Sequence, residues 1–349
     1  MKIGIYDPYL HILGGAERYI LTIALILGKN NEIILFGENK SIIKIAHRKF
    51  GFKMPEITMF PWSDKRNERN RKLKQLDLFL YVTDGSIFWS PAKFNILLIQ
   101  SPLHIPKNNI LNNIKLIKWQ KILCYSKFMA EIIQKRLHKS AETLFVPVEK
   151  INIINQVKQN QIVSVGRFFP HIHNKKQLEM VNIFREMVEN GTKNTKLILI
   201  GSIDPGGENY FAEVKRAAYG LPVEIITNAP YKQLFQIYSS ASIYWHAAGY
   251  DEDLTLNPEK AEHFGVSTVE AMMHGCVPIV FAGGGQLEIV QHEINGFLWK
   301  EIHELIEYTE FLLTNENYWQ EISKQAIKAA HYYTLDKFSE KLKEIIKIE

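Results

Sequence analysis

Glu262 and Glu270 close the two ends of "EHFGVSTVE" (262–270), with an aromatic, a glycine and a Ser/Thr pair between them. A carboxylate is a bidentate acceptor suited to vicinal hydroxyls, and sugars and riboses supply these. Two carboxylates held about one loop apart can therefore grip two polyols, one ribose and one hexose. Ser267 to Glu270 also spells S-x-x-E before an apolar run, the pattern of a helix capping box. That pattern accounts for Glu270 without a ligand and leaves Glu262, in the loop beside His263 and Phe264, unexplained.

Three other stretches carry chemistry. In "VGRFFPHIHNKKQ" (165–177), Arg167 comes straight off a strand while Lys175 and Lys176 are expected to begin a helix. A planar guanidinium fork and an ammonium point charge converging on one strand end suit a diphosphate. "VFAGGGQLEIV" (280–290) reads as strand, three glycines and helix, so the amides of Gly283, Gly284 and Gly285 are expected to form an anion cradle. "DPYLHILGGAER" follows the first strand, and Gly14 and Gly15 let backbone N–H groups approach an anion at a helix start. A tight strand–helix turn is the simpler account of that pair. Its spacing is not G-x-G-x-x-G, which argues against a dinucleotide site.

These residues need strands and helices to hold them. Apolar runs of strand length are "KIGIY" (2–6), "EIILF" (32–36), "DLFLYV" (77–82), "NILLIQ" (95–100), "KILCYS" (121–126) and "ETLFVP" (142–147). Helical patterns at 15–28, 39–49 and 127–138 separate several of them. The second half repeats the theme at 161–166, 196–201, 223–227, 242–247 and 277–282, with helical stretches near 176–189, 231–239 and 267–274. Unbroken apolar strands between amphipathic helices predict parallel sheets covered on both faces. The polar stretch 149–161 reads as a linker. The tail is amphipathic, with Phe338, Leu342, Ile345 and Ile346 on one side. Two doubly wound domains in series imply a cleft, with ligands beyond the carboxyl ends of the strands.

The chain of 349 residues is long enough for two domains. Its longest apolar run near the N-terminus, Tyr19 to Leu27, is too short to span a bilayer, and no secretory signal is visible. Cys124 and Cys276 make neither a disulfide framework nor a zinc site, so a reducing, cytoplasmic setting is expected. Residues 1–150 carry 24 Lys/Arg against 12 Asp/Glu, while the remainder carries 18 against 25. A basic first half is suited to an anionic partner. "FPWSDKRNERNRKLK" (60–74) mixes aromatic and cationic residues as interfacial segments do, which predicts an anionic membrane surface as partner. An exposed charged helix is the plainer reading of the same stretch. With neither an aromatic-basic reading surface nor a helix-turn-helix pattern, nucleic acid is not an expected partner.

In this order, "GGAER", "GRFFPHIHNKKQ", the E-x7-E of "EHFGVSTVE", "GGGQLEIV" and "INGFLW" resemble the retaining glycosyltransferases of the GT4 family. The likeness covers nearly the whole chain, is strongest over 161–300 and is thin between 40 and 120. It implies the GT-B fold: two Rossmann-like doubly wound α/β domains facing across a cleft. Residues 1–150 would bind the acceptor and 151–334 the nucleotide sugar, with the helix near 335–349 packing back on the first domain. Glu270 would hold the ribose hydroxyls. Glu262 would face the donor sugar, with the backbone amides of Phe264, Gly265 and Val266 near its hydroxyls and phosphate. Arg167 and Lys175 would bind the diphosphate, approached by Gly15 from the other domain and by the amides of Gly284 and Gly285. His104, in "QSPLHIP", resembles the first-domain histidine that contacts the sugar. One departure is the insert "AAGYDEDLTLNPEKA" after "YWH", an acidic loop expected to shape a cleft wall. It leaves His246 without an assigned donor contact.

The resemblance implies transfer of a hexose from a UDP- or GDP-sugar to a hydroxyl of a glycan or lipid-linked acceptor. No metal or other cofactor is expected, because no DxD-like acidic pair stands at a strand tip; "DED" (251–253) lies in the insert. With retention, the leaving phosphate oxygen takes the acceptor proton on the same face, and no glycosidase-like acid–base pair is required. The expected location is cytoplasmic and peripheral on the inner face of the membrane. Two rival readings remain: an epimerase or hydrolase of sugar nucleotides on the same architecture, and a catalytically silent glycan- or nucleotide-binding subunit.

Overall fold

The computed structural model describes residues 1–37, 41–51, 55–149, 157–172 and 174–346. Residues 150–156 of the expected linker lie outside these, and its last three, 159–161, already belong to a strand. The chain divides into two units: Met1–Val146 with Phe338–Glu349, and Pro147–Lys337.

The first unit is built on seven parallel strands: β1 (Lys2–Tyr6), β2 (Glu32–Phe36), β3 (Ile57–Phe60), β4 (Leu78–Val82), β5 (Phe94–Leu98), β6 (Lys121–Cys124) and β7 (Glu142–Thr143). Their order in the sheet is β3-β2-β1-β4-β5-β6-β7. Helices α1 (Gly15–Leu27), α2 (Ile42–Phe50), α3 (Arg66–Leu73), α4 (Ile110–Leu116) and α5 (Lys127–Leu137) connect them. Every residue of β4 is buried, as a strand covered on both faces requires. Phe79, Tyr81, Leu97, Trp119 and Met129 belong to one core cluster.

Strand β3 and helix α4 escaped the sequence pattern, whereas α3 falls in the stretch 60–74 whose plainer reading is an exposed charged helix. Strand β3 sits at the sheet edge with alternating half-buried and exposed residues, so its apolar signal is weak. Helix α3, "RNERNRKL", buries Leu73 alone, and α4 buries Leu116 alone; neither shows an inward apolar stripe. The run "ETLFVP" shortens to two strand residues, paired with β6 through Leu123 and Cys124. Of the expected helix 39–49, residues 39 and 40 lie outside the described residues, and α2 begins at Ile42.

The second unit has six parallel strands: β8 (Gln159–Val165), β9 (Lys196–Gly201), β10 (Val223–Thr227), β11 (Ala241–His246), β12 (Val277–Phe281) and β13 (Phe297–Trp299). Their order is β10-β9-β8-β11-β12-β13. The helices are α6 (Gln177–Glu189), α7 (Glu208–Ala218), α8 (Tyr231–Ser240), α9 (Val266–Met273), α10 (Gln286–Ile289), α11 (Ile302–Thr314) and α12 (Glu316–Ala330). Trp245 and Trp299 are fully buried in its core with Phe168 and Phe184. Helix α13 (Leu335–Ile346) buries Phe338, Leu342, Ile345 and Ile346. The Phe338 ring meets Tyr19 edge-on at 5.5 Å and Phe145 at 6.0 Å, within the first unit.

Both sheets are doubly wound. Winding reverses between β1 and β4 in one and between β8 and β11 in the other, and ligands of such sheets sit beyond the carboxyl ends of the strands at that reversal. Among the described residues no helix is long and apolar enough to cross a membrane.

Candidate functional site

At the exit of β8, backbone and side chain are packed too tightly for any residue but glycine. A Cβ on Gly201 would lie 1.9 Å from the Gly166 carbonyl oxygen, and a Cβ on Gly166 would lie 2.4 Å from Lys175 Cγ. The lysine stem thus lies across the strand exit. Gln177, buried at the start of α6, donates through Nε2 to the Gly166 and Arg167 carbonyls, both at 3.0 Å. Asn174 Oδ1 accepts the Lys176 N–H at 2.7 Å and the Tyr210 hydroxyl at 3.2 Å. Lys176 caps α6 in the left-handed conformation, φ 58°. Lys175 and Lys176 therefore precede the helix they were expected to begin.

Across the reversal point, Lys175 Nζ lies 2.5 Å from Glu262 Oε2, and His246 Nε2 lies 3.0 Å from the same oxygen. The lysine and glutamate side chains are 17% and 15% exposed. Burial pushes the Glu262 carboxyl up, but the Lys175 ammonium and the His246 hydrogen bond outweigh it and hold the group well below the usual carboxylate range. Burial pushes His246 down against the pull of Glu262. A neutral ring facing a carboxylate must donate, so the proton sits on Nε2. His246, left unassigned in the sequence, belongs to this cluster.

The neighbouring cations are also paired. Arg167 Nη1 lies 2.7 Å from Asp204 Oδ2, with the arginine 54% exposed. Lys176 Nζ, buried, meets Glu252 at 3.0 Å, and Lys260 meets the same carboxylate at 2.6 Å. Glu252 comes from the acidic insert, in which the neighbouring Asp253 carboxylate accepts the N–H groups of Thr255 and Leu256. So the insert is fastened to the loop that carries Lys175. Among the described residues no group of three or more His, Cys, Asp or Glu side chains is arranged to hold a metal ion.

Two expectations are corrected here. Helix α9 begins at Val266, with Gly265 as its N-cap at φ 119°. Ser267 is therefore inside the helix, its hydroxyl 2.7 Å from the Tyr244 hydroxyl, and the capping box does not form. Glu270 lies on α9, half-buried. The start at Val266 leaves the first-turn amides of α9 without intrahelical acceptors, directly after Phe264 and Gly265. The triple glycine is not the open amide cradle expected: Gly283 N–H donates to the Phe281 carbonyl at 2.8 Å and Gly285 N–H to the Glu262 carbonyl at 2.7 Å. Packing explains the residue type. A Cβ on Gly284, at φ 63°, would lie 2.2 Å from the Glu262 carbonyl oxygen, and one on Gly285 would lie 2.6 Å from Phe264 Cα. Gly284 and Gly285 let β12's exit press against the backbone of residues 262–264, the loop that carries Glu262.

In the first unit, Gly14 caps α1 and gives its N–H to Glu17 at 2.6 Å. A Cβ on Gly15 would meet nothing within 4 Å, so packing does not demand glycine there. His104 ends a short 3-10 turn after β5 and stacks on Tyr9, ring centroids 5.4 Å apart. Its Nδ1 is buried without a hydrogen bond, and burial pushes its pKa down.

Residues 148–329 match the sequence profile of the family described as glycosyl transferases group 1. The chain belongs to that family. It is 28% identical over 207 residues to the GDP-Man:Man(3)GlcNAc(2)-PP-Dol alpha-1,2-mannosyltransferase of Dictyostelium discoideum, covering 57% of this chain and 39% of that protein. To the trehalose synthase of Thermococcus litoralis it is 24% identical, covering 59% of this chain and 48% of that one. The chain thus spans less than half the length of these relatives. The crystal structure of Anabaena HepE in complex with UDP superposes with a TM-score of 0.73 at 16% identity, over 99% of this chain and 100% of that one. Two doubly wound parallel sheets, of seven and six strands, make this the GT-B fold.

Sequence reasoning missed Asp204 and set His246 aside. "GSID" (201–204) ends a strand as "GR" (166–167) does, and that parallel was the available signal. "YWH" ending a strand (244–246) was the signal for His246.

Proposed function

We propose that this chain is a retaining, metal-independent glycosyltransferase that moves a hexose from a nucleoside diphosphate sugar to a hydroxyl of a glycan or lipid-linked acceptor. Membership of the glycosyl transferases group 1 family supports the reaction class. One observation favours the site: Lys175, Glu262 and His246 meet at the winding reversal of the second sheet, with Arg167 at the same strand exit.

In this reading the diphosphate draws Lys175 and Arg167 from their carboxylates, and their charge stabilises the leaving group. Glu262, freed of the ammonium but still held by His246, accepts hydrogen bonds from the sugar hydroxyls. Glu270 accepts those of the ribose. The first-turn amides of α9, from Val266, face the negative charge. Gly15, whose type packing leaves unexplained, and His104 keep the ligand roles that the resemblance implies. The C1–O bond to the diphosphate breaks, the acceptor oxygen bonds to C1 on the same face, and its proton passes to the departing phosphate oxygen. The Dictyostelium relative is named for a GDP-mannose donor and Anabaena HepE was crystallised with UDP, so the bases to try first are guanine and uracil.

A thermal-shift screen of UDP, GDP and ADP with their common sugars tests the donor, since a ligand that binds the folded state raises its melting temperature. With a matched donor and acceptor, Arg167→Ala should lower kcat/KM at least about 100-fold, the scale of a lost transition-state charge contact. Turnover unchanged by chelator and a retained anomer by NMR are the expected outcomes. No shift with any sugar nucleotide overturns the reading.

A further inference from the structure

Helix α4 is built inside out. Its stripe at i, i+1, i+4 and i+7 is Ile110, Leu111, Ile114 and Ile117, and these are 79%, 70%, 49% and 73% exposed. The opposite side carries Asn112 and Asn113, with Leu116 and then Trp119 buried. Amphipathic helices of soluble domains point their apolar stripe at the core. The polar side is held by specific bonds: Asn109 caps the helix at the Asn112 N–H, 2.9 Å, Asn112 Nδ2 donates to the Lys107 carbonyl at 2.9 Å, and Asn113 Nδ2 to Asn108 Oδ1 at 2.8 Å. Trp119 anchors the far end through Nε1 to the Phe88 carbonyl at 3.1 Å. These bonds close the helix start, and Leu116 and Trp119 turn inward, which leaves the stripe facing outward. Trp89, 40% exposed, is a further apolar group beside its end, under Lys118.

We propose that this face of the first unit docks on an anionic lipid bilayer, with the isoleucines entering the acyl boundary. Between Asp84 and Glu131 the sequence has six lysines and no acidic residue. Lys107 is exposed next to the stripe, and Lys118 lies over the Trp89 ring at 5.1 Å. An apolar anchor with a cationic rim is the two-signal arrangement that holds proteins on anionic membranes. A second copy of the chain is a poor occupant, because a two-fold pairing of this face sets lysine against lysine. The aromatic-basic segment 60–74, singled out in the sequence, is a poorer anchor. Its Trp62 turns inward to stack on Tyr6 at 3.7 Å, and Arg69 covers Phe88 at 4.6 Å.

The test is sedimentation with vesicles of equal parts phosphatidylglycerol and phosphatidylcholine against pure phosphatidylcholine. Wild type should partition onto the anionic vesicles much more strongly. Ile110→Ser/Ile117→Ser should lower that partition coefficient at least about tenfold by removing buried apolar area. Lys107→Gln/Lys118→Gln should lower it by roughly tenfold as well. All four positions lie on the surface, so melting temperatures should hold. The proposal is overturned if wild type ignores the anionic vesicles, or if the isoleucine variant binds them as well as wild type. It is also overturned if light scattering shows a dimer that the same variant dissociates. Because the readout is partition and not turnover, its failure leaves the transferase reading untouched, and the reverse holds too.

Discussion

Two buried carboxylates, one in each unit, meet burial with opposite outcomes. Glu262 in the second unit has an ammonium and an imidazole on one oxygen, and its carboxyl is held well below the ordinary range despite burial. Asp7 in the first unit, just after β1, is 4% exposed. Its Oδ1 accepts the Tyr9 N–H at 2.9 Å while Oδ2 is buried without a partner. Burial pushes its carboxyl up to about 7, the Tyr9 bond pulling weakly the other way and the charge of Glu17 adding to the rise. Burial sets the cost of a charge; the partner decides whether the charge survives it. The proposed donor site needs its charges to survive, and in the second unit Lys175 supplies the counter-charge to Glu262 and His246 a hydrogen bond.

The sharpest way to break this contrast is to make Glu262 resemble Asp7. Lys175→Met strands a buried carboxylate, which should cost about 3–5 kcal/mol of unfolding free energy at pH 7, read by urea denaturation. Adding Glu262→Gln should return most of the loss, since removing both charges leaves no unpaired one. The pH dependence should invert as well. In wild type the folded carboxyl lies below its ordinary 4.5, so its stabilisation is present above that value and fades as pH falls through the folded value. In the lysine variant burial dominates, the folded carboxyl rises, and stability should increase as pH falls. A variant as stable as wild type at pH 7 would mean that the 2.5 Å contact carries no energy.

How much of this was legible in the sequence follows from how local each signal is. Apolar strands buried on both faces announce themselves, so the central strands of both sheets read at once, whereas edge strand β3 and helix α4, which lacks an apolar stripe turned inward, did not. Arg167 and Lys175 stood out as cations following one strand end, and Glu262 as the carboxylate of the E-x7-E pair that a capping box leaves unexplained. Their pairing was hidden, since Lys175 and Glu262 are 87 positions apart and only the order of the sheet brings them together. The capping box failed for a local reason: Gly265, in a left-handed conformation, takes the N-cap position two residues ahead of Ser267. The glycines at 283–285 were legible as special, but the cause at Gly284 and Gly285, contact with the 262–264 backbone, is long-range.

The contrast can also be sharpened from the first unit. Asp7→Asn keeps the oxygen that accepts the Tyr9 N–H and removes the group that resists ionisation. A folded carboxyl raised from 3.8 to about 7 favours the fold fully below the unfolded value and loses that contribution as pH rises toward 7. The variant should thus match wild type near pH 4 and exceed it by on the order of 2–4 kcal/mol at pH 8. Denaturation at the two pH values reads this directly. Equal stability at both would show that water or a cation reaches Oδ2.

Arg167 marks the small end of the scale. Its pair with Asp204 is as short as many buried ones, 2.7 Å, yet the arginine is 54% exposed, and solvent screening leaves such pairs worth about 1 kcal/mol or less. Arg167→Ala should then change unfolding free energy by no more than that, while lowering sugar transfer at least about 100-fold. The two readouts separate what the Lys175 variant cannot: a cation that holds the fold from one that is spent on ligand. If Arg167→Ala instead destabilised the protein as much as Lys175→Met, the guanidinium would be a structural counter-charge for Asp204. The diphosphate would then lose the exposed guanidinium at the β8 exit.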